Sequence, residues 1–198
     1  MSDDVPIEDA QLVKAVIGGD RDAFGMLVER YQDRLFNTLV RILGSRDDAG
    51  DVAQEAFVQA FVKLKTFRGD SQFYTWLYRI AMNMALSHRR RGRRRGPSVS
   101  LEAAKDSGGD EPVDQNPGPD ARLMGRERIE AVRLALSKLG DQHRQILVLR
   151  EMEGFSYDAI AEILHMPVGT VRSRLFRARL VLKEELKTIF RDEVDRTK

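Results

Sequence analysis

Between Gly92 and about Arg122, the three-to-four spacing of apolar residues that runs through the rest of this 198-residue chain stops. The interruption reads GPSVS, DSGGDEP and NPGPD, rich in the residues that end helices and strands alike, so it is expected to be a flexible linker. It divides the chain into residues 1–91, a linker over 92–122, and residues 123–198, two pieces of small-domain size.

Both pieces carry helical patterns. Leu12, Val13, Val16 and Ile17 end at Gly18-Gly19, and a longer series follows from Phe24 through Leu27, Val28, Tyr31, Leu35, Phe36 and Leu39 to Val40. Asp20 and Gly44 suit the start and stop of that second helix. A third begins near Ser45 to Asp48 and puts Val52, Ala53, Ala56, Phe57, Ala60, Phe61 and Leu64 inward. Its other face carries Asp48, Asp51, Gln54, Glu55 and Gln59. After a break at Phe67-Arg68-Gly69-Asp70, a fourth helix runs from Ser71 to about Arg90 with Phe73, Trp76, Leu77, Ile80, Ala81 and Met84 inward. Beyond the linker, helices are expected over Arg126–Leu139, Gln142–Met152, Tyr157–Leu164 and Thr170 to about Phe190. No segment alternates as a strand would, and the fold class is all-α: two small helical domains joined by a flexible linker.

Composition excludes several functions. There is no cysteine, hence no disulfide, thiolate zinc site or cysteine nucleophile, and His88, His143 and His165 stand in no metal-ligand spacing. Neither a metal nor another cofactor is expected, nor a catalytic residue. No stretch approaches the roughly 20 apolar residues of a membrane span, and Met1-Ser2-Asp3-Asp4 lacks the order of a signal peptide, so the expectation is a cytoplasmic protein without membrane insertion.

The 33 basic and 31 acidic residues nearly cancel, but they are not mixed. His88 to Arg95 reads HRRRGRRR; Glu102 to Asp120 holds six acids against Lys105; Thr170 to Lys183 carries Arg172, Arg174, Arg177, Arg179 and Lys183 with no acid. The last basic segment belongs to a helix-turn-helix pattern. Ser156 is placed to cap Tyr157–Leu164, and His165-Met166-Pro167-Val168-Gly169 supplies a sharp turn before the next helix. On that helix Val171, Leu175, Ala178, Leu182 and Ile189 form one stripe, while Arg172, Ser173, Phe176, Arg177 and Lys183 point elsewhere. One side packs and the other can enter a major groove, where arginine reads guanine and neighbouring cations hold phosphates. On the fourth helix, Tyr74, Tyr78, Arg79 and Asn83 are outward candidates beside the Phe67–Ser71 loop, a combination suited to stacking unpaired bases. Phe73 and Trp76 fit a core equally well, and spacing does not separate the two.

Three segments together, DVAQEAF at Asp51 to Phe57, FRGDSQFYTWLYRIAMN at Phe67 to Asn83 and PVGTVRSRLFRAR at Pro167 to Arg179, resemble a bacterial RNA polymerase sigma factor of the extracytoplasmic-function group. The resemblance spans nearly the whole chain outside the linker and termini. It implies two helical domains, region 2 and region 4, that bind core RNA polymerase and promoter DNA, and in many members an anti-sigma factor that covers both. It places Asp48, Asp51, Gln54 and Glu55 on the polymerase-docking surface. Phe67, Arg68, Asp70, Ser71, Tyr74, Trp76 and Asn83 match the region that captures the melted minus-10 element, and Arg172, Ser173, Phe176, Arg177 and Arg179 the helix that reads the minus-35 element. A linker of about 30 residues spans up to roughly 100 Å, enough to cover two duplex turns of about 70 Å. Its acids fit either a solvated tether or a segment threading the polymerase channels. The Arg89–Arg95 run is denser than the resemblance requires, and contact with upstream phosphates and the mere opening of the linker both remain open. A free-standing dimeric regulator would leave the Asp51–Phe57 motif and the aromatic helix without a purpose. A nucleic-acid enzyme would need converging carboxylates, whereas Asp47, Asp48 and Asp51 stand at a helix start and suit capping and docking.

Overall fold

Every element of the described chain is helical. The computed structural model describes the backbone of residues 8–94 and 119–196 and the side chains of 8–89 and 128–191. The helices are α1 Asp9–Ile17, α2 Asp22–Leu43, α3 Arg46–Lys63, α4 Phe73–Arg94, α5 Pro119–Lys138, α6 Asp141–Leu147, α7 Tyr157–Leu164 and α8 Val168–Arg196. The chain forms two compact units, one built mainly from residues 1–100 and the other mainly from residues 101–198.

Local chemistry sets the ends of the first-unit helices. Asp20 accepts hydrogen bonds from the amides of Asp22 and Ala23, satisfying donors that the first turn of α2 leaves without carbonyl partners. Gly44 stops α2 in the left-handed conformation, φ 78°, with its amide on the Val40 carbonyl. Ser45 caps α3 by accepting from the Asp48 amide at 3.2 Å. The first arginine of the basic run is part of this packing: Arg89 Nη1 donates to the Ile42 carbonyl at 3.1 Å, serving the C-terminal end of α2.

The core of this unit is Leu27, Leu35, Leu39 and Ile42 of α2 against Ala49, Val52, Ala56 and Ala60 of α3 and Phe73, Leu77, Tyr78, Ala81 and Met82 of α4. Helix α4 packs on both α2 and α3, so two of its sides are covered. Tyr74 and Tyr78 are therefore buried rather than outward. The Tyr78 hydroxyl lies 2.9 Å from Thr38 Oγ1 inside the core, and the Tyr74 ring stacks on Tyr31 with the Arg34 guanidinium 4.5 Å from its centre. Phe61, assigned inward by its spacing, is 42% exposed and meets Phe24 edge-on at the rim of the α2–α3 groove.

In the second unit α8 lies against α5 and α6, and Val171, Leu175, Ala178 and Ile189 are buried as the stripe requires. Arg144, 5% exposed, donates to the carbonyls of Leu136, Ser137 and Leu139 and so finishes the C-terminus of α5. The expected single helix Gln142–Met152 is instead α6 followed by a π-helical stretch, Val148–Met152, closed by the Glu153 amide on the Val148 carbonyl.

Helix α4 continues to Arg94 and α5 begins at Pro119, so helical backbone overlaps both ends of the expected linker, 92–122. One glycine costs a helix only about 1 kcal/mol relative to alanine, which does not by itself end α4, and proline is tolerated in a first turn because its missing N–H would have no intrahelical partner there. The rest of the linker, residues 95–118, lies outside the described residues, as do the side chains of Arg90–Arg95. Among the described residues there is no strand, and no helix is long and apolar enough to cross a membrane.

Candidate nucleic-acid and polymerase interfaces

Helix α3 presents the first surface. Asp51, Gln54 and Glu55 are exposed and Asp48 is half-buried at the first turn. Val58 and Val62 continue the same row at the next turns, 54% and 69% exposed. Sequence reading missed these two valines. The signal was available, since Val58 stands four positions after Gln54 and three after Glu55, and Val62 four after Val58, so both share the polar face and not the buried stripe. Next to this row an open groove of about 660 Å³ runs between α2 and α3, lined by Phe24, Phe36, Phe57 and Phe61. Together they make a polar-to-apolar face of the kind that docks on another protein.

The Phe67–Ser71 loop forms the second surface. Arg68 and Asp70 are exposed, Ser71 is half-buried, and Gly69 takes the left-handed turn at φ 76°. Phe67 is half-buried with its ring 5.3 Å from Trp76 and 6.0 Å, edge-on, from Phe73. Trp76 is 5% exposed and Tyr74 9%, so neither offers a ring face to solvent. Both help form the aromatic layer beneath the loop, which also includes Tyr31. Asn83 is exposed two turns further along α4. Of the residues expected here, Phe67, Arg68, Asp70, Ser71 and Asn83 reach the surface, and Tyr74 and Trp76 support it.

The third surface is the helix-turn-helix α7–α8. Ser156 caps α7 by accepting from the Ala159 amide at 3.1 Å, His165 turns the chain at φ 50°, and the Pro167 carbonyl accepts from Thr170 and Val171 to begin α8. Arg172, Ser173, Phe176 and Arg177 are exposed, Phe176 at 64%. Ser173 Oγ donates to the Thr170 carbonyl at 3.2 Å. Arg179 is exposed too, but it is engaged: Nε and Nη2 donate to Glu151 Oε1 at 2.9 and 2.6 Å. That hydrogen bond is the main reason its pKa rises above the ordinary arginine value, with the charge of Glu151 and the nearby Tyr157 acting in the same direction. No acid stands between Thr170 and Lys183 in sequence, so the fold brings this one in from the π-helical stretch. Among the described residues no group of three or more His, Asp or Glu side chains could hold a metal ion.

Comparison with known proteins agrees with this layout. Residues 27–95 match the family model of Sigma-70 region 2, and residues 129–182 that of Sigma-70 region 4. The chain is 46% identical to the RNA polymerase sigma-H factor of Pseudomonas aeruginosa, covering 93% of this chain and 97% of that one. It is 40% identical to the ECF RNA polymerase sigma-E factor of Escherichia coli over the same shares. Among solved structures it resembles CnrH in complex with the cytosolic domain of CnrY, with TM-score 0.63, 28% identity, and coverage of 91% of this chain and 97% of that one. It also resembles the sigma factor RpoE in complex with the anti-sigma factor NepR from Bartonella quintana, with TM-score 0.63, 27% identity, and coverage of 83% and 96%. The chain belongs to the extracytoplasmic-function group of the sigma-70 family, whose members direct promoter-specific initiation of transcription by RNA polymerase.

Proposed function

We propose that the three surfaces divide the work of initiation. The α3 row, Asp48, Asp51, Gln54 and Glu55 extended by Val58 and Val62, docks on core polymerase. The Phe67–Ser71 loop, with Arg68, Asp70 and Asn83, captures the melted minus-10 strand; Tyr74 and Trp76 hold that loop from below. Arg172, Ser173, Phe176, Arg177 and Arg179 read the minus-35 element. The domain containing α1–α4 carries the first two activities and that containing α5–α8 the third, with the residues between them as the tether, which raises the effective concentration of the second contact once the first is made. The protein acts in the cytoplasm as a specificity subunit without catalysis of its own, and an anti-sigma partner is expected, as in the solved relatives.

The observation that carries this reading is α8 itself, buried along Val171, Leu175 and Ala178 and exposed along Arg172, Ser173, Phe176 and Arg177, the arrangement a groove-entering helix needs. Substitution separates the surfaces. Arg177→Ala lowers promoter-specific transcription about tenfold with core affinity preserved, whereas Gln54→Ala or Glu55→Ala lowers core affinity. Equal loss of core affinity in all three variants contradicts the division.

A further inference from the structure

The Glu151–Arg179 pair needs an explanation that stability does not provide. Its side chains are 47% and 50% exposed, and exposed ion pairs contribute little to folding. Its location is more telling. At about 100° per residue, Arg172, Phe176, Arg179 and Lys183 fall within a sector about 60° wide; Arg179 stands at its edge, about 40° from buried Leu175, and Ser173 and Arg177 extend the exposed face on the opposite side. Among the described residues, Arg179 is the cation on this face that meets a carboxylate. An acid beside a DNA-reading face repels phosphate, so a glutamate there is costly to binding unless it does something for the arginine.

The atoms indicate what that is. Both hydrogen bonds to Glu151 Oε1 come from Nε and Nη2, the side edge of the guanidinium. The end edge of an arginine, Nη1 with the other hydrogen of Nη2, matches the paired acceptors O6 and N7 of guanine in the major groove. A long side chain on a solvent-facing helix otherwise loses rotamer freedom on binding, and a carboxylate that holds it beforehand removes part of that cost. We propose that Glu151 is a positioning residue for promoter reading, holding Arg179 by its side edge so that the end edge meets a guanine of the minus-35 element. This rests on the reading of α8 given above.

The test uses the full chain with core polymerase on a promoter library randomised across the minus-35 element, with transcripts counted by sequencing. The variants are Glu151→Gln, Arg179→Ala, the two combined, and Arg177→Ala as a control on the same helix. Arg179→Ala is expected to reduce preference for guanine at one position by about tenfold. Glu151→Gln reduces preference at that same position and adds nothing in the Arg179→Ala background, with thermal unfolding unchanged. Three results overturn the proposal: uniform loss over all sequences in Glu151→Gln, a change at a different position, or a gain across all sequences, which would mean that Glu151 merely withholds Arg179 from phosphate. If Arg177→Ala too leaves every minus-35 preference intact, the reading by α8 fails; if Arg177→Ala alters preference and Glu151→Gln does not, only the positioning role fails.

Discussion

Arg144 stands in a run of buried residues, Arg144 to Leu149, where an unpaired charge would be untenable. Three carbonyls at the end of α5 accept from it, and the short α5–α6 connection depends on that fork of donors. Arg144→Ala should destabilise the second unit by about 3 kcal/mol, since it removes charge-assisted hydrogen bonds and strands buried acceptors; a melting curve resolving that unit checks this, and a loss below about 1 kcal/mol contradicts it. Tyr31 makes a different prediction. Burial, reinforced by the hydrogen bond to Asp9 and by the charge of that carboxylate, pushes its hydroxyl up from 10.0 to about 12. The fold thus favours the neutral phenol, so its contribution is complete below pH 10 and is lost as pH rises through about 12. Unfolding titrations across that window should fall more steeply for the wild type than for Tyr31→Phe, and parallel curves would refute the assignment. Neither role is legible in sequence. An arginine in an apolar run looks like a surface break, and a tyrosine on an amphipathic helix does not reveal that a carboxylate from α1 lies over it.

At the level of elements, much of the reading holds because the signals are local. Asp20, Gly44, Ser45 and Ser156 all act where capping chemistry places them, and the buried stripe of α8 follows helical spacing through Ile189. Helix α4 defeats the same method for a physical reason. A one-sided amphipathic rule assumes one covered face, and α4 is covered by both α2 and α3, so Tyr74 and Tyr78 join the core. The π-helical stretch after α6 has no sequence signal we can name, yet it is the element that carries Glu151 to α8. The α3 row offers the converse case, with Val58 and Val62 apolar and exposed. Val62→Asp should change folding stability by no more than about 0.5 kcal/mol while weakening core polymerase binding; unchanged core affinity would remove the valines from the docking surface.

At the scale of the whole molecule, two helical units each carry a distinct exposed chemistry: α3 and the aromatic loop in one, the helix-turn-helix in the other. The division into helical halves was readable because hydrophobic periodicity fails between them; its edges were not, because Gly92 and Pro119 are compatible with the helices that include them. The most direct measurement is run-off transcription with bacterial core RNA polymerase on a library of promoter fragments, with and without the protein. Specific transcripts that appear only when the protein is present, and share two short elements separated by a fixed spacing, are the predicted result. No stimulation of core polymerase, together with tight duplex binding by the free protein, would contradict the account.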